Sequence, residues 1–131
     1  MITTIRRVTA TTAAASLLAL PAVALSASPA AAAQNQKSCA GAVVKLKVER
    51  DDGRHEVEAD INNGQRGERW RVKLFQNGNR FVNVVRTVGG DDDNDIEIDR
   101  DRRNTNGRDV YKMRAKNLRT GGACTVRVRM P

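Results

Sequence analysis

The chain has 131 residues, with 23 lysines and arginines against 15 aspartates and glutamates, a formal charge of +8, one histidine and two cysteines. Two cysteines and one histidine are too few for a structural zinc site. One tryptophan, one tyrosine and two phenylalanines leave little aromatic surface for a sugar-cleaving cleft, and the length fits a single domain.

Residues 1–33 read as a secretory signal peptide. Arg6 and Arg7 supply the positive start, Leu17, Leu18, Leu20, Val23 and Leu25 the apolar stretch, and Ala31-Ala32-Ala33 a small-residue cleavage site. Cleavage after Ala27 also satisfies the small-x-small rule; Ala33 is preferred because the polar Gln34-Asn35-Gln36 follows. The apolar run is too short and alanine-rich for a transmembrane helix. The paired arginines fit an ordinary leader and loosely echo a twin-arginine export signal, so the route stays open. The expected product is a secreted, extracellular or cell-wall-associated protein made of one β-sandwich domain, residues 34–131. It carries 21 basic and 15 acidic residues, a net +6. In an oxidising compartment Cys39 and Cys124 are expected to pair. That bond closes a loop of 84 intervening residues, worth roughly 4–5 kcal/mol on the chain-entropy account.

From residue 42 onward apolar and polar residues alternate with period two, the pattern of half-buried strands. Seven runs are expected. Val44, Leu46 and Val48 form the first; Val57, Ala59 and Ile61 the second; Trp70, Val72 and Leu74 the third. Arg80 to Val88 is the fourth, Ile96 and Ile98 mark a short fifth, Tyr111, Met113 and Ala115 the sixth, and Val126, Val128 and Met130 the last. Glycine- and asparagine-bearing turns separate them: Asp51-Asp52-Gly53, Asn62-Asn63-Gly64, Gly89-Gly90, Asn106-Gly107 and Gly121-Gly122. Asn77-Gly78 is the sharpest, since this pair favours a two-residue hairpin. A regular hairpin there sets Leu74 opposite Phe81 and Trp70 opposite Val85.

Seven strands at this spacing predict an all-β, antiparallel sandwich. The tight hairpin makes the third and fourth runs strands C and C′, giving sheets A-B-E and G-F-C-C′. Trp70 stands where an immunoglobulin-like strand C keeps its core tryptophan. Tyr111-x-Met113-x-Ala115-x-Asn117 resembles strand F of fibronectin type III domains, which implies an immunoglobulin/fibronectin type III-like fold. Two departures are evident: the cysteines tie the terminal strands rather than B to F, and no Arg-Gly-Asp occurs. The whole chain also resembles small secreted actinobacterial proteins of unknown function, through Gly64-Gln65-Arg66-Gly67-Glu68-Arg69-Trp70 and Gln76-Asn77-Gly78 between two terminal cysteines. These are turn and core residues, so the resemblance bears on fold and assigns no activity.

No catalytic constellation is visible. Beyond the leader there is one serine, Ser38, beside a half-cystine, and one histidine, His55. His55 reads as a solvated turn residue, and nucleophilic catalysis needs a base within hydrogen-bond reach of its nucleophile. Every carboxylate is read as lying on an outward strand position or a turn. Trp70, Phe81 and Tyr111 are read as core. No cofactor and no metal are expected. The nearest approach to a calcium site is Asp91-Asp92-Asp93-Asn94-Asp95 with Glu97, Asp99 and Asp101, but Arg103 stands where a third loop ligand belongs and Arg100 and Arg102 oppose it.

Charge on the strands gives the sharper expectation. With Trp70, Tyr111 and Val126 inward, the outward side of G-F-C gathers Arg69, Arg71, Lys73, Lys112, Arg114, Lys116, Arg127 and Arg129, extended by Arg80 and Arg86. The outward side of A-B-E carries Glu56, Glu58, Asp60, Glu97, Asp99 and Asp101, relieved by Lys45 and Lys47. Such a field attracts polyanions. The expected function is a secreted, non-enzymatic module binding anionic polymers of the cell envelope or extracellular matrix. The alternative is a structural domain associating with a protein partner or with its own copies. A third view is that the cations only solubilise an exposed sheet.

Overall fold

The computed structural model describes residues 32–89 and 95–131. The expected leader falls outside them except for Ala32 and Ala33, as do Gly90 and residues 91–94, the first four of the 91–95 run read as a calcium candidate. The described chain forms eight strands: β1 Ala32–Cys39, β2 Ala42–Asp51, β3 Arg54–Asn62, β4 Arg69–Gln76, β5 Asn79–Thr87, β6 Ile96–Arg103, β7 Asp109–Asn117 and β8 Ala123–Met130. They make two antiparallel four-stranded sheets, β1-β2-β3-β6 and β5-β4-β7-β8. No described helix is long and apolar enough to cross a membrane.

The alternation produces this arrangement directly. Along β2, Val44, Leu46 and Val48 are buried while Lys45, Lys47 and Glu49 lie on the other side. The same phase buries Trp70, Val72 and Leu74 on β4, Tyr111, Met113 and Ala115 on β7, and Val126, Val128 and Met130 on β8. These residues form one core between the sheets. The seven expected runs occupy the expected neighbour order, and an eighth strand joins them. β1 pairs along its length with β2, from Ala32 opposite Glu49 to Cys39 opposite Ala42. It was not anticipated because Gln34, Asn35, Gln36, Lys37 and Ser38 are exposed and show no apolar alternation; its order comes from backbone pairing. Asn35 Nδ2 also donates to the carbonyl of Arg127 at 3.3 Å, so β1 reaches across to the other sheet. Cys39 and Cys124 are bonded, with Cα atoms 5.9 Å apart, tying the β1 end to β8.

The β4–β5 hairpin corrects the expected register. Asn77 and Gly78 take positive φ, 50° and 83°, as the two-residue turn requires. Beyond it Phe75 faces Arg80, but Leu74 faces Val82, not Phe81, and Trp70 faces Arg86, not Val85. Phe81 is the extra residue of a bulge, and both Phe81 and Val82 pack against the core. One inserted residue reverses the parity of everything beyond it. Arg86 is therefore carried off the outer side. Gly78→Ala should cost about 1 kcal/mol, because a Cβ disfavours its left-handed backbone; a shifted urea midpoint with unchanged slope would measure it.

Candidate anion-binding face

The outer side of β5-β4-β7-β8 presents the expected cations in an ordered pattern. Arg71 is directly opposite Lys116, Lys73 opposite Arg114, and Lys112 opposite Arg127. At three successive levels along β7 a cation thus faces a cation, on β4 at the first two and on β8 at the third, where β4 offers Phe75; such like-charge pairs destabilise a sheet in isolation. Arg71, Lys73, Arg114 and Lys116 line a surface depression of about 280 Å³. Among the described residues, none of these six cations has a carboxylate within 4.0 Å. Lys112 lies 4.4 Å from the centre of the Phe75 ring, which sits on the same outer side and holds the ammonium over its face.

The remaining expected residues hold peripheral places. Arg69 is exposed at the far end of β4, opposite Thr87, and Arg129 is exposed near the other end of the face, opposite Val110. Neither has a cationic cross-strand partner. Arg80 faces Phe75 and extends the surface at one edge. Arg86 does not, because of the bulge at Phe81.

The outer side of the opposite sheet is the electrostatic complement. Glu56 faces Asp101, Glu58 faces Asp99, and Asp60 faces Glu97. Lys45 Nζ approaches Asp60 at 3.0 Å and Glu58 at 3.8 Å, while Lys47 is bound to Glu49 at 2.8 Å. Carboxylate oxygens of Glu58, Glu97 and Asp99 lie within 4.8 Å of one another. Burial raises the Glu58 carboxyl above its usual range, with Asp60 adding to the effect, and the Asp99 charge does the same to Glu97. Asp99 and Asp101, which had suggested a loop for calcium, belong to strand β6.

Three polar residues overturn the sequence reading. His55 is fully buried rather than solvated, and its Nδ1 shares a 2.7 Å hydrogen bond with the Tyr111 hydroxyl. Asp109, also fully buried, stands 3.7 Å from the same nitrogen. Its Oδ1 accepts from Asn77 Nδ2 at 2.8 Å, from Gln76 Nε2 at 3.2 Å and from the Thr105 hydroxyl, and its Oδ2 from Thr105 N at 3.1 Å. Glu68, 4 % exposed, accepts from Gln65 N and from Asn117 Nδ2, binding the 65–68 turn to the end of β7. Gln65's backbone hydrogen bond, then Asn117's, hold the Glu68 carboxyl below its usual range. The phase of alternation could have found two of these: His55 precedes Val57 by two, and Asp109 precedes Tyr111 by two, so each shares its strand's inward side. Glu68 offered no such signal.

Beside this cluster, Arg102 lies 4.3 Å from the centre of the Phe81 ring and donates through Nε to Gln76 Oε1. These residues join β4, β5, β6 and β7 at one end of the two sheets. The His55–Tyr111–Asp109 group is enclosed, with His55 Nε2 and Trp70 Nε1 lacking hydrogen-bond partners among the described residues. It offers structure rather than access to a ligand. The open surface with uncompensated charge is the cation ladder on β4, β7 and β8. Compared with known proteins, the chain matches no family model and no curated sequence.

Proposed function

We propose that the protein is an exported, non-enzymatic module that binds anionic polymer through the outer side of β5-β4-β7-β8. The observation that carries this reading is the run of three like-charged rungs, Arg71–Lys116, Lys73–Arg114 and Lys112–Arg127. A sheet that needed only solubility is served by mixed charges, whereas a polyanion laid along the strands compensates all six cations at once. Arg69 and Arg129 continue the path at its two ends. The arginines supply forked donors for phosphate or carboxylate oxygens and the lysines point charges. One half-buried phenylalanine gives little for base or sugar stacking, so recognition rests on charge and spacing.

The Cys39–Cys124 bond supports an oxidising, non-cytoplasmic setting, in keeping with export by the leader read in residues 1–33. The strand order, with Trp70 on β4 and Tyr111 on β7, supports an immunoglobulin/fibronectin type III-like topology to which β1 adds an edge. A polymer of this kind is a component of the cell envelope or its surroundings.

The test is salt-gradient elution of the oxidised protein from immobilised single-stranded polynucleotide, with a sulfonate exchanger as control. Six phosphate contacts would give a slope of log affinity against log salt of about −4. Elution should come much later from the polymer than from the exchanger. Replacing Arg71, Arg114 and Arg127 together by Glu should abolish the difference while leaving the circular dichroism spectrum intact. Elution of the parent protein from both supports at one low salt concentration would defeat the proposal.

A further inference from the structure

The two outer sheet faces match each other in more than sign. On β3 and β6 the carboxylates form three successive cross-strand rungs, Glu56–Asp101, Glu58–Asp99 and Asp60–Glu97. On β4 and β7 the cations form two such rungs, Arg71–Lys116 and Lys73–Arg114; at the next level β4 offers Phe75 and the cation pair steps one strand over to Lys112–Arg127 on β7 and β8. Both are sets of directly opposed residues on antiparallel pairs. Their pitch is therefore shared: about 5 Å between strands and about 7 Å between successive rungs. Each ladder is self-repelling within its sheet, and the two β4–β7 cation rungs match two of the β3–β6 carboxylate rungs in spacing, with Arg127 set one strand to the side. Both surfaces belong to this chain, on opposite sides of one molecule.

We propose that copies of the protein stack front to back, the carboxylate ladder of one copy seated on the cation ladder of the next. An isologous dimer is disfavoured, because a two-fold axis sets either ladder against itself, like charge on like. The contact is consequently heterologous, and faces on opposite sides of a layer generate an open row rather than a closed ring. A four-stranded face of eight-residue strands covers roughly 500 Å² in projection from strand spacing and rise. That is below the ~800 Å² per partner of a standard interface, so the stack is weak, reversible and dissolved by salt. Lys45 and Lys47 partly neutralise the β2 side of the acidic face, which centres the contact on β3 and β6. The polymer site proposed above uses the same cations, so polymer and neighbouring copy compete for them. The stacking itself does not depend on the polymer reading.

Sedimentation equilibrium of the oxidised protein tests this. At an ionic strength of about 10 mM, where the screening length is ~30 Å, the weight-average mass should exceed twice the monomer's and keep rising with concentration. At about 1 M, where screening falls to ~3 Å, it should return to the monomer's. Two blocked variants sharpen the result. Arg71→Gln with Arg114→Gln disables the cation ladder, and Glu58→Gln with Asp99→Asn disables the carboxylate ladder, neither creating a charge that the other variant's altered face could pair. Each should be monomeric alone, and an equimolar mixture should stop at a one-to-one dimer. A parent protein that stays monomeric at low salt, or a mixture that does not dimerise while both variants keep native circular dichroism, overturns the stack. The acidic-face variant should still bind polymer, so failure of the stack and failure of polymer binding are separately visible.

Discussion

Replacing both Cys39 and Cys124 by alanine should remove about 4 kcal/mol of stability, the loss expected when a bond closing so long a loop is deleted. The expectation follows from where the bond lies. It joins residues 85 apart in sequence, so in the unfolded chain it restrains nearly the whole domain, while in the folded one β1 and β8 already hold its ends together. A domain of this size has roughly 5–15 kcal/mol in total, so a loss of that order lowers the urea midpoint by about a quarter or more. Cys39 is also a buried core residue, and its truncation adds a small packing loss. Equilibrium urea unfolding of the double-alanine variant would measure the sum. A change below 1 kcal/mol would mean that β1 contributes little order of its own.

Acid should weaken the fold in two separate ranges. Burial lowers the His55 pKa below its ordinary 6.5, with Asp109 opposing and Arg50 assisting the shift. The folded protein therefore holds His55 neutral while the unfolded chain binds a proton near pH 6.5. Stability from this group is complete above that value and falls as pH drops through it, by up to ~1.4 kcal/mol per pH unit until the folded form also protonates. Since the chain has one histidine, proton uptake in this range is assignable to it. Burial pushes the Asp109 carboxyl up, but the hydrogen bonds from Thr105, Asn77 and Gln76 outweigh it and hold the group below 3.8. Its contribution is present above pH 3.8 and is lost as pH falls through the lower folded value. Between these ranges Glu58 and Glu97, whose carboxyls are raised, act oppositely, because the folded state takes up their protons first. Urea midpoints between pH 7.5 and 5.5 should decline in the parent and stay nearly flat in His55→Gln. An unchanged parent midpoint over that span would show that His55 is not held neutral.

How far the sequence discloses this molecule depends on what kind of force places each part. Sheet order, core and disulfide follow from alternation, one sharp turn and two cysteines, because burial acts on side chains that a reader can see. The cation ladder is legible for the same reason: fixing Trp70 and Tyr111 inward fixes Arg71, Lys73, Lys112 and Arg114 outward. β1 is hidden because backbone hydrogen bonding, blind to side chains, orders it. Arg86 is misplaced because one bulge at Phe81 reverses parity, and no residue type announces that bulge. His55 and Asp109 were in phase with their strands, yet their polarity and nearness to turns argued against burial. Each is made tolerable inside by partners distant in sequence, Tyr111 for the first, and Asn77 and Gln76 for the second.

The position of the cystine also determines how the domain bears mechanical load. Tension applied at the two chain ends first meets β1 on one side and the Thr125–Met130 stretch of β8 on the other. Once those segments peel away, the pull passes from Cys39 to Cys124 through covalent bonds alone. Strands β2 to β7, which lie inside the closed loop and carry the carboxylate ladder and the Arg71–Lys116 and Lys73–Arg114 rungs, then feel no extension. The oxidised protein should lengthen under force only by the chain outside the Cys39–Cys124 loop, losing Arg127 and Arg129 from its basic face but keeping the carboxylate ladder and the two β4–β7 cation rungs, whereas the reduced one can be drawn out to its full contour.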